Sequence, residues 1–235
     1  MQKEKAAEIN ALLAGSAPED VLRYFLLDFQ GRTALSSSLG PEDQILTEMI
    51  SHIHPSARIF TLDTGRLFPE TYDLMHLTNQ RYKTRIEVFF PPAAEVERMV
   101  ADKGINLFYE SIENRKECCH IRKILPLKRA LQGLDAWITG LRREQSPTRD
   151  EVEVVEWDEA NQIIKVSPLI NWSREQVWDY INAKHIPVNP LHQKGFASIG
   201  CQPCTRAINE NEDERAGRWW WENPETKECG LHKKV

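Results

Sequence analysis

What this chain lacks narrows its options first. Across 235 residues there is no apolar run long enough to cross a bilayer. The opening MQKEKAAEINALLAG has neither the apolar centre nor the cleavage site of a secretory signal. It reads as an amphipathic helix, so residence in the cytoplasm, away from membranes, is expected. Positive charge is not in excess: 30 Lys and Arg stand against 35 Asp and Glu, a net charge of −5. A nucleic-acid footprint needs a basic surface and is therefore not expected. Cysteine is scarce and odd in number, five in all. In a reducing compartment this favours metal or redox chemistry over a disulfide framework. Internal repeats and low-complexity linkers are absent as well.

What is present is a globular composition, 41% hydrophobic, with a regular order of elements. Helices are predicted over 3–14 and 18–29, the second with Pro18 in its first turn. TALSSS (33–38) reads as a strand, followed by a helix near 42–53. ARIFTLDTG (57–65) is a strand ending in a glycine turn before a helix near 69–80. RIEVFF (85–90) is a third strand, followed by a helix near 93–103. The helix ECCHIRKILPLKRALQG leads to a fourth strand, DAWITG (135–140). EVEVVEWD and QIIKVSPL read as a hairpin, and SREQVWDYINAK as a helix with a capping box of Ser173 and Gln176. Alternating strands and helices imply an α/β fold with a mainly parallel, twisted sheet flanked by helices. The expected organisation is N-terminal helices over 1–30, an α/β body over 31–210, and a C-terminal segment over 211–235.

Ligands of parallel sheets sit beyond the carboxyl ends of the strands, where SSLGPED, LDTGR and TGLRREQS would meet. SSSLGPED (36–43) joins a strand to a helix, and its hydroxyls, glycine and helix N-terminus offer donors to phosphate oxygens. It lacks the Gly-Lys-Ser/Thr ending of a Walker A loop, so nucleotide hydrolysis with magnesium is not supported. An ordinary capped turn remains the plain alternative. TGLRREQSPTR (139–149) carries three arginines after a strand, and guanidinium forks suit phosphate and sulfate. A solvated charged loop is the competing reading.

Cys201 and Cys204 form CQPC, a C-x-x-C pair able to hold one edge of a metal site. With the adjacent Cys118 and Cys119 they make four thiolates, the number that suits either zinc or an iron–sulfur cluster. The gap of 82 positions (201 − 119) is outside compact zinc-finger or ferredoxin spacings. Adjacent sulfurs suit the separated iron corners of a cubane better than one tetrahedral zinc. Cys229 is left over near the C-terminus, with His232, Lys233 and Lys234 favouring its thiolate.

ECCHIRK, GCQPCTRA and ECGLH, in that order and downstream of SSSLGPED and LDTGR, resemble the assimilatory adenylyl-sulfate reductases. These are a branch of the adenylyl-sulfate and phosphoadenylyl-sulfate reductases. The resemblance runs from about residue 30 to 233. It implies a modified ATP-pyrophosphatase (adenine nucleotide alpha hydrolase-like) fold with a mobile C-terminal tail. It also implies a [4Fe–4S] cluster on Cys118, Cys119, Cys201 and Cys204. Cys229 would be the catalytic thiol, attacking the sulfate sulfur of adenylyl sulfate to leave an S-sulfocysteine and AMP. Thioredoxin (or glutaredoxin) would then release sulfite. By the same resemblance Lys123 lies at the sulfate end, and Arg142, Arg143, Arg215 and Arg218 are anion ligands. His232 would approach the substrate beside Cys229. Ser36, Ser37, Ser38 and Gly40 match the phosphate loop, with Asp63, Thr64 and Gly65 nearby. The parent loop reads Ser-Gly-Gly-x-Asp-Ser; here it is Ser38-Leu39-Gly40-Pro41-Glu42-Asp43, which fits a protein that no longer cleaves ATP. The tryptophans at 219–221 are expected to pack rather than to stack on adenine.

Three readings differ in testable ways. The same chemistry could act on 3′-phosphoadenylyl sulfate. A nucleotide-binding protein with a structural four-cysteine zinc site would be colourless. A dithiol oxidoreductase working through the C-x-x-C has no role for Cys229. Nothing in the pattern selects between a monomer and a homo-oligomer.

Overall fold

A computed structural model describes residues 2–145, 151–223 and 231 of the chain. Helix α1 (Gln2–Leu13) turns Ala6, Ile9 and Leu13 inward, the spacing of a single helical face. Asn10 fastens it: its carbonyl oxygen accepts from Val155 N–H at 3.1 Å and its amide donates to Glu153 at 3.2 Å. Helix α2 (Pro18–Arg23) opens on its proline, but the helix predicted over 18–29 changes winding at Tyr24. There a π turn, Tyr24–Asp28, buries Phe25 among the rings of Tyr24 and Phe29.

The strand–helix alternation follows. Strand β1 (Thr33–Ser36) precedes α3 (Pro41–Ile53), and β2 (Arg58–Leu62) precedes α4 (Pro69–Tyr82). Strand β3 (Glu87–Phe89) precedes α5 (Ala93–Lys103), whose ends match those read from the sequence. Then come α6 (Ile112–Cys119), α7 (Leu125–Leu131), β4 (Ala136–Ile138), β5 (Val155–Asp158), β6 (Ile163–Val166) and α8 (Arg174–Lys184). The strands form one sheet in the order β3-β2-β1-β4-β6-β5. Pairs β1–β2, β1–β4 and β4–β6 are parallel. The expected hairpin is antiparallel, with Trp157 opposite Ile164. Its inner strand β6 is buried at all four positions, and the ammonium of Lys165 pairs with Glu156 at 2.9 Å. Helix α8 carries the capping box: Ser173 Oγ accepts from Gln176 N–H, and Gln176 Oε1 accepts from Ser173 N–H at 2.8 Å.

The residues gather into two compact units, each drawn from three stretches of chain. The first comprises residues 1–61, 70–87 and 133–190; the second comprises 62–69, 88–132 and 191–235. The core of the first unit joins Leu35, Ile45, Leu46, Ile50, Ile138, Ile164 and Val166. Each such side chain contributes about 1.5–3 kcal/mol by leaving water. The second unit has a different core: Met99, Leu107, Phe108, Ile121 and Trp219 pack with four cysteines. Among the described residues no helix is long and apolar enough to cross a membrane.

Candidate functional site

In the first unit, the loop after β1 turns sharply because Leu39 takes a left-handed conformation, φ 62°. Its N–H donates to Ser37 Oγ at 3.1 Å. Ser38 donates twice to one carboxylate oxygen of Asp43, from its N–H at 2.6 Å and its hydroxyl at 2.7 Å. Gly40 follows as the residue before α3, and Glu42 and Asp43 occupy that helix's first turn. Burial pushes the Asp43 carboxyl up to about 6, against the Ser38 hydrogen bonds, with Glu42 adding to the rise. Gly140 makes the arrangement feasible, since a side chain there would come within 2.3 Å of an Asp43 carboxylate oxygen.

The arginine loop reaches the same place. Arg142 is buried and donates from Nε to Glu42 at 2.6 Å, while Gln145 donates to the same oxygen at 3.0 Å. Arg143 braces its own loop, donating to Asn171 at 2.7 Å and to the Val152 carbonyl at 2.8 Å. Ser38 and Arg142 thus meet adjacent carboxylates at the end of the same loop, Asp43 and Glu42. Ser36 lies upstream as the last residue of β1.

The second unit holds the cysteines. Cys118 and Cys119 close α6, whose first turn is capped by Ser111 accepting from Asn114 N–H at 3.1 Å. A π turn, His120–Ile124, then leads directly into α7. Cys201 and Cys204 bracket a short 3₁₀ turn, Gln202–Cys204, in which Cys204 N–H donates to the Cys201 carbonyl at 3.0 Å. All four cysteines are buried and line one cavity with Arg66, Phe108, Arg115, Arg122, Lys123 and Trp219. Its empty space is about 350 Å³, including some open to solvent.

The donors around the sulfurs suit an anionic group held by four thiolates. Arg115 and Arg122 line the same cavity as Cys119 and Cys118 and place positive charge beside those sulfurs. Cys201 Sγ lies 3.3 Å from the Thr64 hydroxyl. The indole nitrogen of Trp219 and Nε of Arg122 are buried without a protein hydrogen-bond partner. Among the described residues no three His, Cys, Asp or Glu are arranged to hold a single metal ion. Four cysteine sulfurs on one cavity are the ligand number that an iron–sulfur cluster or a zinc ion takes. Burial pushes the Cys118 thiol up despite Arg122, and pushes Cys204 up to about 12 with help from Cys201. Metal binding at such thiols must displace protons.

Other expected site residues fall as follows. Lys123 is half-buried on the π turn, lines the cavity and lies 5.8 Å from the Trp219 ring. Asp63 accepts the Gly65 N–H at 2.7 Å, shaping the LDTG turn. Thr64, expected near substrate, lies beside Cys201, and its carbonyl accepts from Arg122 at 2.7 Å. Arg218 is buried beside Trp219 and reaches the Ser198 hydroxyl and Ile199 carbonyl at 3.4 Å. Gly200 leaves it room, since a Cβ there would meet the guanidinium at 2.3 Å. Arg215 is half-buried, its N–H donating to Asp213 at 2.8 Å. Trp219 and Trp221 pack as expected, and Trp220 is exposed. Cys229 and His232 lie outside the described residues. Sequence reasoning missed Arg115 and Arg122, although each stands one helical turn from a cysteine, at Cys119 − 4 and Cys118 + 4.

Residues 32–207 match the family model described as the phosphoadenosine phosphosulfate reductase domain. An adenosine 5′-phosphosulfate reductase of Allochromatium vinosum is 53% identical over 199 residues, 85% of this chain and 78% of its own length. That of Agrobacterium fabrum is 47% identical over 226 residues, 96% of this chain and 86% of its own. Among solved structures, a phosphoadenylyl-sulfate reductase from Candida auris in a phosphate complex matches with a TM-score of 0.74. It is 27% identical and covers 88% of this chain and 97% of its own. An FMN adenylyltransferase of Candida glabrata, 13% identical with a TM-score of 0.56 over 90% of this chain and 77% of its own, shares the fold alone. These neighbours put the sheet in the ATP-pyrophosphatase-like class expected from the sequence.

Proposed function

The chain belongs to the phosphoadenosine phosphosulfate reductase family, and on that premise we propose that it reduces adenylyl sulfate to sulfite and AMP in sulfate assimilation. The reading is carried above all by one observation: four buried cysteines from two distant stretches line one cavity with Lys123. Relatives about half identical in sequence and named for adenylyl sulfate favour that substrate over its 3′-phosphorylated form.

The chemistry is covalent catalysis in two exchanges. The Cys229 thiolate attacks the sulfate sulfur, forming an S–S bond as the S–O bond to AMP breaks. AMP carries the electron pair away and an S-sulfocysteine remains. A thioredoxin thiolate then attacks the Cys229 sulfur and expels sulfite, leaving a mixed disulfide. The second thioredoxin thiol resolves it, so the donor dithiol supplies both electrons and Cys229 is restored. Lys123, Arg215 and Arg218 bind and orient the phosphosulfate. Cys118, Cys119, Cys201 and Cys204 would hold the [4Fe–4S] cluster. When bound, that cluster supplies charge and rigidity beside the sulfate end rather than an electron-transfer path. We place the protein in the cytoplasm, where thiol donors stay reduced.

The test uses the anaerobically purified protein with adenylyl sulfate and no thioredoxin. A sulfite-sized adduct on Cys229, absent in Cys229→Ser, is expected by mass spectrometry. An adduct elsewhere, or none, refutes the mechanism. Iron and sulfide near four each per chain are expected on the cluster reading; stoichiometric zinc sinks it. Competition between adenylyl sulfate and its 3′-phosphorylated form reads the preference.

A further inference from the structure

Arg66 follows the LDTG turn, and three segments of the second unit close a ring through it. Gly65, just before it, takes a left-handed φ of 71°, a conformation open to glycine. The Arg66 guanidinium then forks. Nη1 donates to the Ile105 carbonyl at 2.6 Å and Nη2 to the Asn106 side-chain oxygen at 3.1 Å. The group also lies 5.1 Å from the Phe108 ring centroid. Tyr109 closes the 3₁₀ turn Leu107–Tyr109, and its hydroxyl donates to the Pro203 carbonyl at 2.6 Å. Pro203 sits inside the C-x-x-C turn, and its neighbour Gln202 donates from N–H back to the Arg66 carbonyl at 2.8 Å. Neither acceptor of the fork is a carboxylate, so the side chain serves by its reach and planar geometry rather than by neutralising a charge. Arg66 and Pro203 line the cysteine cavity and also a second one, with about 710 Å³ of empty space including open solvent, which Gly65, Leu67 and Gln202 complete. These two residues are the partition between the four buried cysteines and that outer space.

We propose that Arg66 is a positioning residue that locks this partition and holds the C-x-x-C turn closed over the cysteine cavity. A metal shared by four sulfurs escapes when one pair of them swings away. Cys118 and Cys119 ride on α6, whereas Cys201 and Cys204 bracket a single short turn that can open locally. The ring through Arg66 opposes that opening, and cutting it raises the open population. The inference rests on the reading of the four cysteines as one metal site, and on neither the identity of the metal nor the role of Cys229.

Five full-length proteins test it: wild type, Arg66→Met, Arg66→Lys, Tyr109→Phe, and the double variant Arg66→Met with Tyr109→Phe. With the metal each carries on purification, release to a chelator is timed, using bipyridyl for iron and 4-(2-pyridylazo)resorcinol for zinc. Arg66→Met keeps the bulk beside Phe108 and donates nothing. It is expected to hold the same metal content and urea midpoint as wild type but to release metal about tenfold faster. Tyr109→Phe is expected to release about threefold faster. The double variant should be no faster than Arg66→Met, because a ring cut once is already open. Arg66→Lys, able to reach one of the two oxygens, should fall between wild type and Arg66→Met. Release from Arg66→Met at the wild-type rate overturns the proposal, as do fully multiplicative effects in the double variant. A urea midpoint that falls in step with release overturns it too, by marking general disruption. A second readout is iodoacetamide labelling of metal-free protein, followed by mass spectrometry. Arg66→Met should label Cys201 and Cys204 about tenfold faster and Cys118 and Cys119 at the wild-type rate. Equal acceleration at all four sinks the proposal. If Arg66→Met does not fold, Tyr109→Phe, which deletes one oxygen, must show the same bias toward the C-x-x-C pair. A wild type that binds no metal instead refutes the metal reading, and the labelling bias then decides the partition.

Discussion

Asp43 should make the protein less stable as pH rises through the range where most enzymes are handled. Its carboxyl is buried and shifted from 3.8 to about 6, chiefly by loss of solvent. The charged group beside it is Glu42, which raises it further and itself accepts from Arg142. Because the folded value lies above the unfolded one, the native state binds more protons between them. Stability is then greatest below pH 4 and falls as pH rises to about 6. A difference of roughly two pH units corresponds to about 3 kcal/mol in all, of which about 1.3 kcal/mol falls between pH 5 and 7. Asp43→Asn keeps the shape and removes the titration. Urea unfolding of both proteins at several pH values from 5 to 7.5 reads the effect. Wild-type stability minus that of Asp43→Asn should decline by about 1.3 kcal/mol across pH 5–7, cancelling titrations common to both. A flat or rising difference refutes the buried, elevated carboxyl.

Glu42→Gln removes the buried carboxylate that Arg142 Nε meets at 2.6 Å, while the exposed Glu144 stays 3.4 Å away. It should cost about 3 kcal/mol, seen as a lower urea midpoint with unchanged slope. Lys123→Ala should keep iron content while lowering kcat/KM on the order of a hundredfold, through loss of the cation proposed for the sulfate end; steady-state kinetics with iron analysis checks it. Gly200→Ala should displace the Arg218 guanidinium and raise KM more than it lowers kcat, with the melting temperature little changed.

The order of strands and helices was readable because each burying face repeats its own period. Helix α5 came out to the residue. Helix α6 was read as beginning at Glu117, yet it starts at Ile112. IENRKE has almost no apolar stripe, because this helix buries Arg115, Cys118 and Cys119 rather than leucines. The cysteines were legible by type and pairing. Their electrostatic setting was not, because Arg115 and Arg122 look like surface charges and the Glu222 partner of Arg115 lies 107 positions away. Thr64 was read by neighbourhood in sequence and proved to be a neighbour of Cys201 in space.

The π turn at His120–Ile124 has a consequence for how this helix can vary. Such a turn accommodates an extra residue within an otherwise regular helix. Because the wide turn takes up that residue, removing one there would restore α-helical winding and leave α7 near its present phase. Lys123 would become the fourth instead of the fifth residue after Cys118 and stay on the same side of the helix. Relatives one residue shorter in this stretch should therefore keep a cation beside the sulfurs, one position nearer the cysteine pair in sequence.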